Sequence, residues 1–485
     1  MLFPTFKFAF FFLTVFIGFW YVFRRSLERR IFLVAASYVF YAFWDWRFCG
    51  LLLLSSAANY GFGLLIGQSK EHIWRKTFLI LSVAFNLLLL GFFKYYNFFA
   101  DSANGIIQLF AGPQSPNGAG NAGPFFPALK IIMPVGVSFY TFKAMSYVFD
   151  VYLCKMTAVR SFLDVALYVS FFPQIASGPI VHAADFIPQI EGACGAGQEA
   201  GSKPIEFDRA SLYIMSGLLK KMVFANFLST LLVDPVFRDP SAFNALEVVL
   251  AAFGYSVVIY TDFSGYSDMA IGIALLLGFQ TPANFNRPYM SFSVTEFWKR
   301  WHITFSSWLR NYLYFSLGGS RFGLARTLIA LVLTMMLGGL WHGASVVFII
   351  WGAMQGIVLA LERGFNYGTK RNASVPLAAL QIVATFIFTT VSWIVFRSPS
   401  LESIGGFFSA MIHFSAPVTL VTPLVLALIA LGLAMHAVPA RFRDSGFALY
   451  VRVPLPVKAV FIALFFAGVA AVSMSGVAPF IYFQF

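Results

Sequence analysis

Phe297-Trp298-Lys299-Arg300-Trp301-His302-Ile303-Thr304-Phe305-Ser306-Ser307-Trp308-Leu309-Arg310-Asn311-Tyr312 opens the stretch on which the reading of this sequence turns, and Leu337-Gly338-Gly339-Leu340-Trp341-His342-Gly343-Ala344 closes it. At helical spacing Phe297, Trp301, Phe305, Trp308 and Tyr312 fall on one side, and Lys299, His302, Ser306 and Arg310 on the other. Such a helix suits a membrane surface. The closing motif sets a histidine among glycines and a tryptophan, at the end of an uncharged run, 327–341, long enough to enter a bilayer. An ionisable side chain is costly there, which points to function.

The chain has 485 residues, 59% hydrophobic and 11% charged, with 60 phenylalanines. Apolar segments of about 20 residues recur along nearly its whole length, as a helix crossing the hydrocarbon core requires. A polytopic membrane protein follows. A transmembrane β-barrel is excluded, because its strands would be short and would alternate polar with apolar residues. The net charge of +13 would suit nucleic acid in a soluble protein. Here the Lys and Arg residues sit in short loops between apolar runs, the positive-inside pattern, so no nucleic-acid partner is expected. Arg24, Arg25, Arg29 and Arg30 form one cytoplasmic loop cluster, and Lys70, Arg75 and Lys76 the next. Two spans fit between them, 31–47 and 50–67, turning at Trp44-Asp45-Trp46 on the outer face, which puts the N-terminus outside. Residues 1–23 read as a retained span, since no basic region precedes the apolar run and no small-residue cleavage site follows it. Cys49, Cys154 and Cys194 are widely separated and point to neither a disulfide framework nor a zinc site.

Residues 111–118 and 192–204 are rich in turn formers and read as loops. Pro134-Val135-Gly136-Val137-Ser138-Phe139-Tyr140 and Phe172-Pro173-Gln174-Ile175-Ala176-Ser177-Gly178-Pro179-Ile180 each interrupt an apolar run. Proline breaks a helix, so each segment is either an interfacial loop or a break buried in protein or lining a cavity. Breaks of the latter kind often mark a membrane protein's site. Lys220-Lys221 is expected to begin a membrane-facing region. Asp262 and Asp268 stand in an apolar context on different helical faces, which argues against a metal pair and for hydrogen bonds or salt bridges to nearby arginines. Further spans alternate with basic loops at Arg363, Lys370 and Arg371 and at Arg441, Arg443, Arg452 and Lys458. The last span, near 460–477, leads outward. Both termini outside require an even number of crossings, and the length accommodates about ten to twelve. No internal repeat is visible, which argues against a two-half transporter.

Of the six histidines, His72 falls in a charged loop and His182, His413 and His436 near interfaces, where a partly wet ring is ordinary. His302 reads equally as an interfacial residue or a functional one. His342 stands apart: Gly338, Gly339 and Gly343 allow close approach of a ligand to the backbone, and Trp341 supplies an apolar wall. A structural histidine bonded to a neighbouring helix is the competing reading. Imidazole takes a proton from a hydroxyl as that oxygen attacks a carbonyl. No serine elbow, His-Glu-x-x-His motif or phosphate-binding glycine loop occurs, which leaves transfer from an activated donor, such as a thioester, onto a hydroxyl.

Phe297-Trp298-Lys299-Arg300-Trp301-His302, Tyr266-Ser267-Asp268, Ser177-Gly178-Pro179 and Leu340-Trp341-His342-Gly343, in this spacing, together resemble the membrane-bound O-acyltransferases, in the bacterial branch that serves alginate, peptidoglycan and other envelope polymers. The resemblance covers most of the chain and is densest over 134–355. It implies one all-α domain over 1–485 in the bacterial inner membrane: a ring of about ten to twelve transmembrane helices, with re-entrant and interfacial helices, around a central tunnel. It implies that His342 is catalytic and that His302 fills a second polar position, which is Asn, Asp or His depending on the branch. Acetyl-CoA would enter from the cytosol as a substrate, with no resident cofactor or metal. An extracytoplasmic SGNH-type O-acetyltransferase would complete transfer to the polysaccharide. Lys299 and Arg310 would meet the donor's phosphates or, equally, phospholipid headgroups. Trp298, Ser306, Asn311, Trp341 and Asp268 are the other candidate substrate contacts. The last span and tail, 456–485, ends in Phe480-Ile481-Tyr482-Phe483-Gln484-Phe485, whose Phe-x-Tyr-x-x-Phe pattern resembles the C-terminal tail of the small partner protein of teichoic acid D-alanylation. Tyr482 is then a candidate acyl carrier, or else part of an aromatic anchor at the interface.

Two other classes compete. A glycosyltransferase using a lipid-linked sugar would need an acidic residue in an outer loop, where Asp45 is the candidate. A transporter of a polymer intermediate would account for the broken helices.

Overall fold

A backbone surrounded by hydrocarbon must satisfy its own N–H and C=O groups. The computed structural model, which describes residues 3–111, 125–195, 205–367, 374–414 and 416–472, does so with helices alone among those residues. The chain begins with α1 (Phe6–Val22), α2 (Ser26–Asp45), α3 (Phe48–Gln68) and α4 (His72–Gln108). Next come α5 (Val137–Tyr152), α6 (Phe162–Ser170) and α7 (Ala183–Cys194), then the long pair α8 (Phe207–Arg238) and α9 (Ala245–Leu276). Two short helices, α10 (Val294–Arg300) and α11 (Ile303–Trp308), precede α12 (Leu324–His342) and α13 (Val346–Gly364). The rest is α14 (Val375–Arg397), α15 (Leu401–Ala410), α16 (Pro423–Ala434), α17 (Ala440–Arg452) and α18 (Leu455–Val472). Among the described residues, eight helices, α3, α4, α8, α9, α12, α13, α14 and α18, are long and apolar enough to cross a membrane, and α1 and α16 are shorter apolar helices. The all-α polytopic class is as expected. The tail with Tyr482, and most of the loops at 111–118 and 192–204, lie outside the described residues.

Burial distinguishes the helices. The apolar stretch of α9 is 78% buried and that of α18 only 6%, so protein wraps the first and the second is left to lipid. Inside the wrapped region lie charges that the sequence reading misplaced. Lys220 and Lys221 do not begin a membrane-facing region; they sit within α8 and reach α9. Lys220 bonds Asp268 at 2.6 Å and Lys221 pairs with Asp262. The partners are lysines rather than the expected arginines. Both lysines open a π-helical turn over Lys220–Ala225, and each reaches its own aspartate of α9. Removing one member of a buried pair leaves the other charge unpaid, at about 3–5 kcal/mol, whereas replacing both with apolar groups is nearly neutral. Lys221→Met is therefore expected to lower the thermal midpoint in detergent strongly, and Lys221→Met with Asp262→Leu to restore most of it. A double variant no better than the single would refute this account.

Two further placements differ from expectation. Arg29 and Arg30 belong to α2, not to a loop: Arg29 Nε donates to the Phe23 carbonyl at 2.9 Å, and Arg30 holds both Asp164 oxygens at 2.8 Å. His436 is buried rather than interfacial, because the chain after α16 folds its ring onto Tyr260 and Tyr289 at 4.2 and 4.8 Å.

Candidate active site

The stretch 297–312 is not one interfacial helix. It breaks between α10 and α11 at His302, whose φ of 43° and ψ of 55° lie in the left-handed region. The cause lies outside the stretch. Asn284 comes alongside and takes the local hydrogen bonds: its carbonyl accepts from Ile303 N–H at 2.9 Å, and its side-chain Oδ1 from Thr304 N–H at 3.3 Å and Thr304 Oγ1 at 3.0 Å. At the other end of α10, the Glu362 carboxylate of α13 accepts from the N–H groups of Val294 and Thr295 at 2.7 and 2.8 Å. The aromatic side chains, expected at a membrane surface, are instead core: Phe297, Trp301, Phe305, Trp308 and Tyr312 are all buried.

His302 accordingly moves from the expected polar face into the interior, fully buried. Its Nδ1 lies 3.1 Å from Asn284 Oδ1. That oxygen already accepts from a backbone N–H, so the histidine nitrogen must be the donor, and the lone pair falls on Nε2. Among the described residues Nε2 has no hydrogen-bond partner. The His302 ring stacks on Phe305 at 4.9 Å and stands edge-on to Phe263 at 4.6 Å.

His342 occupies the last position of α12, and the chain leaves it extended at Gly343. Its ring packs against Phe305 at 5.3 Å, Trp351 at 5.3 Å and Phe396 at 5.4 Å. Phe305 thus touches both histidines. His342 and Trp341 line a cavity of about 180 Å³ together with Trp44, Lys94, Ala176 and residues 133–139. Both proline-broken segments contribute to it, which is the cavity-lining alternative raised for them. Ile180 N–H also donates to Thr304 Oγ1 at 3.0 Å, tying the second break to α11.

A larger cavity of about 590 Å³ lies farther back along α12, lined by Trp298, Lys299, Ser306, Arg310, Thr334, Met335 and Arg363 among others. From Met335 to His342 α12 rises about 10 Å, which sets the separation along the helix. Lys299, Arg310 and Arg363 form no ion pair among the described residues. They leave positive charge at an apolar cleft. Trp298 is fixed by its Nε1–H donating to Gln355 Oε1 at 3.1 Å, and Asn311 lies behind Arg310, accepting from its Nε at 3.3 Å. Of the sequence candidates, Trp298, Lys299, Ser306 and Arg310 meet at the larger cavity and Trp341 and His342 at the smaller. Asp268 lines neither; it bonds Lys220 and Ser216.

Sequence reasoning missed Arg363, Asn284 and Lys94. Only Lys94 had a visible signal, a lone charge in the apolar run 77–100. The arrangement offers an imidazole at a small cavity, a second imidazole across one phenylalanine, and a basic cleft on the other side. That suits proton transfer during attack on an acyl donor. It suits glycosyl transfer poorly, since Asp45 is held by Arg47 Nε at 2.9 and 3.0 Å.

Comparison with known proteins agrees. The sequence model of the membrane-bound O-acyltransferase family matches residues 38–404. The probable alginate O-acetylase AlgI of Azotobacter vinelandii is 39% identical over 417 residues, covering 85% of this chain and 78% of that one. The peptidoglycan O-acetyltransferase of Helicobacter pylori is 34% identical over 434 residues, covering 83% and 78%. The teichoic acid D-alanyltransferase of Bacillus subtilis is more distant, 26% identical over 286 residues, covering 56% and 71%. A multi-pass helical chain with two buried histidines packed on Phe305, one of them at a cavity, and matched by this family over most of its length, belongs to the membrane-bound O-acyltransferases.

Proposed function

We propose that this O-acyltransferase moves an acetyl group from acetyl-CoA, taken up on the cytosolic side of the bacterial inner membrane, to a hydroxyl on the far side, for O-acetylation of an envelope polysaccharide such as alginate or peptidoglycan. The observation that supports this best is the position of His342, which faces the small cavity while the helix that carries it lines the large one. By the positive-inside rule we take the side of Lys299, Arg310 and Arg363 as cytosolic, with both termini outside. There the three cations meet the phosphates of the donor, and the acyl end reaches toward His342.

At His342 the acceptor oxygen attacks the thioester carbonyl. The imidazole takes the hydroxyl proton, the new C–O bond forms, the C–S bond breaks, and the proton passes to the departing thiolate. His302, with its lone pair on Nε2, stands one ring away. Tyr482 is the proposed first acceptor, and an extracytoplasmic SGNH-type transferase the partner that moves the group on to sugar. Only the acetyl group then crosses the bilayer.

The experiment uses sealed membrane vesicles with labelled acetyl-CoA supplied on the basic face. Label is expected on the chain, and to disappear from it in Tyr482→Phe. Replacing Arg310 and Arg363 by Glu is expected to raise the KM for acetyl-CoA at least about tenfold with less effect on kcat, as loss of uniform binding does. If no label left the coenzyme in any membrane, the donor assignment would be wrong. A KM unchanged by both charge reversals would give these cations to lipid headgroups.

A further inference from the structure

The last four carbonyls of a helix have no partner within it. In α12 three of the four are taken by two consecutive side chains of α4. Tyr95 Oη donates to the Leu340 carbonyl at 2.8 Å, and Lys94 Nζ to those of Trp341 at 2.6 Å and His342 at 3.0 Å. Neighbouring residues of a regular helix diverge by about 100°. Here α4 widens into a π-helical turn over Gly91–Tyr95, which brings both side chains onto one helix end. Such irregularities are frequent at functional sites.

The charge of Lys94 has no carboxylate to meet: among the described residues it forms no ion pair. Its remaining contact is Ser138 Oγ at 3.5 Å, and its Nζ lies 5.9 Å from the Trp341 ring. A cation is favoured at a helix C-terminus, where the dipole is negative. Because the chain turns extended directly after His342, no further helical turn holds that residue. The side chains from α4 hold it instead, and Lys94, Ser138 and His342 share the small cavity.

We propose that Lys94 and Tyr95 form a clamp that fixes the end of α12 and so aims the His342 imidazole into the small cavity, with Lys94 as a positioning residue acting through the backbone of 341–342. The proposal rests on the acyl-transfer reading of His342. The clamp belongs to the chemical step and not to donor binding, since neither residue lines the larger cavity.

The test uses the full chain in sealed membranes, with labelled acetyl-CoA as donor and protein levels matched by immunoblot. Misplacing a reacting group by an ångström costs about 100-fold, so Lys94→Met is expected to lower kcat by about that factor while the KM for acetyl-CoA stays within about twofold. Lys94→Arg keeps the charge and two donors and is expected to recover at least about a tenth of wild-type kcat. Tyr95→Phe loses one bond and is expected to cost about fivefold. The clamp is refuted if Lys94→Met turns over like wild type, if the loss falls on KM, or if Lys94→Arg is as slow as Lys94→Met at equal thermal stability. Should Lys94→Met not accumulate, Tyr95→Phe decides, because an unchanged kcat there refutes the clamp and a fall in kcat supports it. His342→Ala separates the two readings. An active His342→Ala would remove the acyl-transfer assignment of the site. An inactive one beside a fully active Lys94→Met would remove the clamp alone.

Discussion

Cells in which His342→Ala replaces the wild-type chain, at equal membrane level, are expected to acetylate their envelope polymer about 100- to 10,000-fold more slowly, the factor that a positioned general base contributes. The direct readout is the O-acetyl content of exopolysaccharide and of peptidoglycan. His302 does not substitute, because Asn284 fixes its ring through Nδ1 and it does not line the small cavity. The substitution keeps the backbone bond that Lys94 makes to residue 342, and protein levels are matched by immunoblot before acetylation is compared. Loss of acetyl from one polymer would name the pathway. Unchanged acetylation of every envelope polymer would remove His342 from the reaction and bring the transporter reading forward.

The second large effect concerns folding. Helices α12 and α13 run antiparallel at a separation that only glycine allows. A Cβ on Gly352 would collide with the Met335 carbonyl oxygen and approach the Met336 Cα to 2.9 Å; one on Gly356 would come within 2.7 Å of the Val332 Cα. These neighbours are backbone atoms of the facing helix and have no rotamer into which to retreat. Helix pairs in membranes gain their stability from such close approach. Gly352→Val is therefore expected to push the helices apart, cost at least about 3 kcal/mol as overpacking does at its upper end, and leave little folded protein in the membrane. Gly364→Ala is the control, since a Cβ there meets nothing within 4 Å. Abundance by immunoblot and the thermal midpoint in detergent measure both. Normal accumulation of Gly352→Val would show that the helices separate at little cost.

Much of this architecture was legible because bilayer thickness imposes a length on apolar runs. The turn after Asp45, the span Phe48–Gln68 that follows it and the cavity-lining role of the proline-broken segments needed only local sequence. His342 also stood out from local sequence alone, as a charge-capable ring among glycines, and the structure places that ring, buried, at the small cavity. What escaped was set by partners remote in sequence. The break at His302 depends on Asn284, 18 residues earlier, and nothing inside 297–312 announces it. A helical wheel therefore turned His302 outward. The Lys220 and Lys221 pairs depend on the register between α8 and α9. Arg363 joins Lys299 and Arg310 only because α13 returns beside α10, where Glu362 caps that helix. Lys94 showed itself as a lone charge, but its target, the end of α12, lies 247 residues away.

The left-handed backbone at residue 302 also bears on how this chain is free to diverge. In that conformation a β-carbon crowds the following carbonyl, and apart from glycine it is adopted mainly by asparagine, aspartate and histidine. Glycine would supply the bend but no side chain to work with. A lineage that keeps both the bend and a polar group is left with a very short alphabet of asparagine, aspartate and histidine. A non-glycine residue there costs about 1 kcal/mol or more, and here Asn284 anchors the His302 ring. Positions 284 and 302 are thus expected to drift as a couple: where 302 becomes asparagine or aspartate, selection on the side chain of 284 relaxes.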